Sequence, residues 1–299
     1  MSLRFNGVFG PVVTTFRRDS GDIDGAAFTE NVRAHIAAGH LGVLVCGSTG
    51  EAVLLSEMER LELLEAARRA VPPDKLVLMG TGAESTRLTV RRCQEAKTVG
   101  ADAVLVIAPH YFTGAMTVEA LRTHYRRVAD ESPLPVMLYN NPKYMHFKLA
   151  PELVAELAQH PNVVGMKDSA GDLDLLKAYL QSQSDSFSVL TGSGAQLHPG
   201  LMAGARGGIL AVALFDGARA VEIFQAHTKG DHATAEALQA ELKPLAVTIV
   251  GELGIPGVKA AMDCIGLHGG PVRGPLLDLG AAGRARVSAL MNGLGAVAA

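Results

Sequence analysis

Short apolar runs, many of them β-branched, recur along the chain at intervals of roughly 25–30 residues. They are GVFGPVVTTF at 7–16, GVLVCG at 42–47, KLVLMG at 75–80 and DAVLVIAP at 102–109. The series continues with PVMLYN at 135–140, NVVGMK at 162–167, FSVLTG at 187–192 and GGILAVAL at 207–214. Between them the apolar positions fall three and four apart, as in SEMERLELLEAARRA (56–70), STRLTVRRCQEAKTVG (85–100) and PELVAELAQHP (151–161). That spacing lines one face of a helix. Strands apolar on both sides, joined by helices, form a covered parallel sheet. Eight such units in about 225 residues match the size and period of a closed (β/α)8 TIM barrel. An open doubly wound sheet competes with this reading, and its dinucleotide form wants GxGxxG after the first strand. Here FRRDSGDID follows the first run, and the nearest approach is GTGAES at 80–85, after the third. The pattern therefore predicts a TIM barrel over residues 1–225.

Beyond 225 the strand signal stops. HTKGDHATAEALQAELKPLAVTIV, VKAAMDCIGLHGG and GAAGRARVSALMNGLGAVAA read as helices, with GPVRGPLL as a loop. No linker rich in Pro, Ser and charge separates them from the barrel, so 226–299 are expected to pack on it as a C-terminal helical region.

Composition narrows the function. With 299 residues, 27 basic against 30 acidic groups and a net charge of −3, the chain lacks the basic footprint of a nucleic-acid binder or of a protein held on an anionic membrane. Three distant cysteines, Cys46, Cys93 and Cys264, with no CxxC pair, argue against a disulfide framework and suit a reducing cytoplasm. No signal-peptide pattern follows the N-terminus, and no apolar run reaches the roughly 18 residues of a membrane span. The expected location is the cytoplasm.

In such a barrel the reactive groups sit where strands end. The second run ends in Gly47-Ser48-Thr49-Gly50-Glu51, the fourth in Pro109-His110-Tyr111, the fifth in Tyr139-Asn140-Asn141-Pro142, the sixth in Lys167-Asp168-Ser169 and the seventh in Thr191-Gly192. Lys167 ends a strand buried on both sides. Desolvation there lowers an amine's affinity for protons and exposes its lone pair for attack on a ketone. The same position suits a lysine that snorkels to solvent or pairs with Asp168. Tyr139 can pass protons at a reacting carbonyl, or fill the barrel mouth with its ring. The Gly47–Glu51 turn, with hydroxyls and N–H groups at a coming helix, suits a carboxylate or is an ordinary capped turn. The ten histidines form no HExxH and do not gather at strand ends, and neither GxSxG nor a P-loop occurs, so neither a metal nor a cofactor is expected.

In combination, GSTGE at 47–51, Tyr139-Asn-Asn-Pro and Gly165-Met-Lys-Asp-Ser resemble the dihydrodipicolinate synthase and N-acetylneuraminate lyase family over essentially the whole chain. The resemblance implies a class I barrel lyase, usually a homotetramer, that binds pyruvate or another 2-oxo acid as a lysine imine. It implies that Lys167 forms the Schiff base and Tyr139 shuttles protons. Ser48 and Thr49 then bind the carboxylate and relay protons, and Tyr111 completes the relay, in some members across a subunit interface. Gly192 and Ile209 match backbone positions lining the site.

The resemblance divides on the second substrate. Dihydrodipicolinate synthases resemble Tyr-Asn-x-Pro-x-Arg-Thr-Gly, whereas YNNPKYMHFK has Tyr144 at the arginine and Met145-His146 at Thr-Gly. A neutral phenol does not replace a bidentate cation. GTGAEST (80–86), QHPNVVGMKDSAGD (159–172), GIPGVKAAMD (254–263) and GGPVRGPL (269–276) look more like 4-hydroxy-2-oxoglutarate aldolases, in which Ser169 would meet a second carboxylate or hydroxyl. YNNPKYMHFK also departs from the Tyr-x-x-Pro-x-x-Thr-Gly of those aldolases, so Lys143, or the aromatic pair Tyr144 and Phe147, would shape a different pocket, and sugar-acid and aromatic 2-oxo acid lyases stay open. The first expectation is reversible aldol cleavage of a 4-hydroxy-2-oxo acid to pyruvate and an aldehyde. The alternatives are condensation of pyruvate with aspartate semialdehyde, and a non-catalytic 2-oxo acid sensor.

Overall fold

Each of the eight apolar runs forms a strand in the structure, a computed structural model that describes residues 5–293. The strands are β1 (Gly7–Pro11), β2 (Gly42–Val45), β3 (Leu76–Gly80), β4 (Ala103–Ile107), β5 (Val136–Asn140), β6 (Val163–Asp168), β7 (Ser188–Thr191) and β8 (Gly207–Ile209). They pair in parallel and in sequence order, and β8 closes on β1. The eighth run is only partly strand, because Ala211–Leu214 turns into a 3-10 helix at the barrel rim.

The helices between strands start where the sequence supplies caps. They are α1 (Gly25–Ala37), α2 (Glu57–Ala70), α3 (Thr86–Val99), α4 (Val118–Glu131), α5 (Pro142–Met145), α6 (Pro151–Leu157), α7 (Leu173–Leu180) and α8 (Leu197–Ala203). Ser56 and Glu59 form a reciprocal capping box on α2, and Asp24, Ser85, Thr117 and Asp172 cap α1, α3, α4 and α7. Such caps satisfy N–H groups that the first turn of a helix leaves unpaired. After β8 come α9 (Gly217–Thr228), α10 (His232–Leu245), α11 (Gly254–Cys264) and α12 (Ala281–Gly293). A π-helical turn over Ala246–Glu252 links α10 to α11 directly after Pro244, which cannot donate to the helix ladder. No helix among the described residues is long and apolar enough to cross a membrane.

Two apolar layers follow from the period-2 alternation of the strands. Phe9, Leu44, Leu78, Leu105, Met137, Leu190 and Ile209 point inward and fill the barrel. Residues of opposite parity, such as Val43, Val77, Val104, Leu138 and Val189, pack under the helices. β6 departs from this register. Val136 faces Val163, but Met137 faces Gly165, so Val164 is an extra residue in the ladder. This bulge puts Lys167 opposite Tyr139, and both side chains share the inward face. Its neighbours Asn140 and Asp168 then face outward, where the Asn140 side-chain amide donates to the Asp168 carboxylate at 2.7 Å.

The tail is tied to the barrel mouth by a buried ion pair. Glu51, at the end of the Gly47–Glu51 turn, meets the Lys259 ammonium of α11 at 2.5 Å, and the pair is almost wholly buried. Lys259 also donates to the Pro271 carbonyl at 2.6 Å, and the Arg273 N–H donates to Glu51 at 2.8 Å. Burial pulls the Lys259 amine below its usual range, and Glu51 opposes that fall. Removing one partner of a buried pair strands the other charge and costs about 3–5 kcal/mol. Lys259→Met should lower unfolding stability by that amount in urea denaturation, and the Glu51→Gln/Lys259→Met double variant should recover much of it. Additive losses in the double variant would contradict the pairing.

Candidate active site

Alternation along β5 and the bulge in β6 bring Tyr139 and Lys167 to the carboxyl-terminal mouth of the barrel. Lys167 is 5% exposed, and its ammonium sits 4.7 Å from the centre of the Tyr139 ring. No carboxylate among the described residues lies within ion-pair reach of it. The two bland alternatives for this lysine are therefore absent. It does not snorkel to solvent, and Asp168 is engaged by Asn140 and by the Ala170 N–H on the outer face.

The Tyr139 phenol is the hub of the polar cluster. Asn141 donates to it at 2.7 Å, and Ser48 and Ser169 line the same cavity beside it. Burial pushes the phenol up, but the Lys167 charge and the polar neighbours Ser169, Ser48 and Asn141 outweigh it and hold the group below its usual range. A phenol eased toward ionisation beside an amine is suited to exchanging protons with a carbonyl.

A cavity of about 220 Å³ opens onto this cluster, lined by Ser48, Thr49, Tyr139, Lys167, Ser169 and Gly192 among others. Gly192 is required there by space. A Cβ on it would fall 1.9 Å from the Ser169 hydroxyl and 2.9 Å from Lys167 Cε. The Gly47–Glu51 turn presents Ser48 and Thr49, but it is not the helix start that the sequence suggested. The N–H groups of Gly50, Glu51 and Ala52 bond back to Gly47 and Ser48 carbonyls at 3.0–3.3 Å. The turn continues as a 3-10 helix over Ala52–Leu54, and α2 begins only at Glu57. No α-helix dipole addresses the site from this side. Glu51 holds a left-handed φ of 56° within the turn.

Of the residues singled out from the sequence, Ser48, Thr49, Tyr139, Tyr144, Lys167, Ser169, Gly192 and Ile209 all line the one cavity. Tyr144, 39% exposed, stands at its rim, where a second cavity of about 770 Å³ begins. Tyr111 does not join them. It is 77% exposed and packs edge-on against Phe112 at 5.0 Å. The Glu84 carboxylate accepts its backbone N–H at 2.8 Å, and that of His110 at 2.9 Å, which ties the loop to the end of β3. Two contributions carry no signal of their own in the sequence. Asn141 stands there only as part of the Tyr139-Asn-Asn-Pro motif, and Ala246, Val250 and Gly251 of the π turn wall the cavity. Lys143 donates to the Gly251 carbonyl at 3.3 Å, joining α5 to that wall. Only Pro244, mid-helix, marked this segment in the sequence.

Fold and site together put the protein among the barrel carbon–carbon lyases. The dihydrodipicolinate synthetase family model matches residues 4–293, and the chain belongs to that family. A 4-hydroxy-tetrahydrodipicolinate synthase of Methanoculleus marisnigri is 36% identical over 277 residues, 92% of this chain and 94% of that protein. The protein of the same name from Methanospirillum hungatei is 36% identical over 91% of this chain and 93% of its own. Among solved structures, the chloride-inhibited dihydrodipicolinate synthase of Acinetobacter baumannii, complexed with pyruvate, superposes with a TM-score of 0.93. It is 28% identical, over 98% of this chain and 100% of that one. YagE, an Escherichia coli prophage protein of the same family in complex with pyruvate, gives a TM-score of 0.91 at 29% identity, over 98% and 99%.

Proposed function

We propose that the protein joins pyruvate to an aldehyde, or runs that reaction backwards, through an imine on Lys167. The observation that carries this is a buried amine with no carboxylate partner, beside a phenol and two hydroxyl-bearing residues in one cavity. The amine adds to the keto carbon, and loss of water leaves the imine. The imine withdraws electrons, so the adjacent methyl carbon gives up a proton and becomes an enamine. That carbon attacks the aldehyde carbon, and the new alkoxide takes a proton. Hydrolysis of the imine frees Lys167. Tyr139 moves the protons, with Asn141 holding its oxygen and Ser48 and Ser169 beside it. Ser48 and Thr49 bind the pyruvate carboxylate.

For the aldehyde, the names of the relatives favour aspartate semialdehyde, and so 4-hydroxy-tetrahydrodipicolinate synthesis, over the aldol cleavage first expected. Tyr144 replaces the arginine of the synthase pattern, and Lys143 is the cation that lines the cavity in its stead. In this reading Lys143 leaves Gly251 and takes the semialdehyde carboxylate. The neutral Tyr144 is what keeps cleavage of 4-hydroxy-2-oxo acids as the second reading. Tyr111, exposed on its own chain, completes the relay of a second copy within an oligomer.

Assaying both reactions with one preparation tests this. Consumption of pyruvate with aspartate semialdehyde should exceed, in kcat/KM, release of pyruvate from 4-hydroxy-2-oxoglutarate. A charged hydrogen bond contributes about 1.5–3 kcal/mol, so Lys143→Met should raise KM for the semialdehyde about 10–100-fold and leave that for pyruvate unchanged. The reverse order of efficiencies would give the chain to the second reading.

A further inference from the structure

Behind the loop that follows β7, three histidines far apart in sequence meet. His198 lies in the first turn of α8, His227 in the last turn of α9 and His232 at the start of α10. Each offers a ring nitrogen, and the three nitrogens lie within 4.8 Å of one another. The α9–α10 turn that brings His227 and His232 together is fixed by Gly230 at φ 78° and by Asp231, which caps α10. His198 is 8% exposed, and two nitrogens of the group, His198 Nε2 and His227 Nδ1, are buried without a hydrogen-bond partner. Buried polar atoms are nearly always paired, so two such nitrogens within one cluster of histidines need a reason. His232 is exposed and leaves the third side open to solvent and to a small ion.

We infer that His198, His227 and His232 form a binding site for one divalent transition-metal cation of the zinc class. Imidazole nitrogen suits zinc, cobalt, nickel and copper, whereas calcium and magnesium require oxygen ligands. A neutral imidazole is the form that donates to a metal. Three imidazoles leave coordination positions for water. The site is separate from the reacting centre but coupled to it. The Gln239 carboxamide of α10 accepts the His198 backbone N–H at 2.8 Å and donates to the Gly194 carbonyl at 3.0 Å, and Gly194 lines the Lys167 cavity. A bound ion therefore clips α8 to the α9–α10 hairpin and stiffens that wall.

The test uses tag-free full-length protein stripped with EDTA. Titration with Co2+ should give visible d–d bands that saturate at one equivalent and are displaced by Zn2+, and Zn2+ should raise the Tm. His232→Ala changes an exposed side chain, so it should keep the metal-free Tm, bind Co2+ more than about tenfold more weakly and lose the Zn2+-dependent rise. His227→Gln should weaken binding likewise. Substoichiometric binding by the parent protein, or equal binding by the parent and both variants, would overturn the assignment.

Discussion

Lys167→Ala is expected to lower turnover by roughly 10⁶-fold, the scale seen when a covalent nucleophile is deleted from a site that still binds substrate. The loss comes from chemistry rather than folding. Alanine removes a buried charge without stranding a partner, because no carboxylate among the described residues pairs with Lys167. Lys167→Arg should be as inactive. It keeps the positive charge near the Tyr139 ring, but a guanidinium stays protonated and cannot form the imine. Steady-state kinetics on the folded variants check both. If Lys167→Arg retained a substantial part of the activity, the lysine would be acting through its charge alone.

The next largest effect is expected at Tyr139. Tyr139→Phe keeps the ring over which the Lys167 ammonium sits but removes the oxygen to which Asn141 donates. Losing a positioned proton carrier costs about 10²–10⁴-fold in rate. The fall should appear in kcat far more than in the KM for pyruvate, because Ser48 and Thr49 still hold the carboxylate. The two functions of this residue separate cleanly in that comparison. A variant with normal kcat would show that the phenol only fills space.

The parts of this molecule legible in the sequence are those set by short-range periodicity. Eight β-branched runs and the helical spacing between them gave the closed barrel, and strand ends pointed to Lys167, Tyr139, Ser48 and Thr49 together. What escaped depends on register or on long-range packing. The extra residue Val164, which turns Lys167 to the same face as Tyr139, leaves no mark in an apolar run. The hydroxyl-rich turn looked like a helix start because Ser56 and Glu59, the true capping box, lie only a few residues further on. Tyr111 shares the strand-end position of the other site residues, yet its side chain is exposed outside the chain's own cavity, on a loop whose N–H groups bond to Glu84. Glu51 and Lys259 are more than two hundred residues apart in sequence, and no local pattern announces their ion pair. The three histidines behind the β7 loop are equally silent, since helix packing alone brings them together.

The measurement that bears most directly on this account is covalent trapping. Borohydride added to the protein with pyruvate should reduce the imine and add the mass of one reduced pyruvyl group per chain, located on Lys167 by peptide mass spectrometry and absent from Lys167→Ala. An unmodified parent chain, or an adduct carried by another lysine such as Lys143, would contradict it.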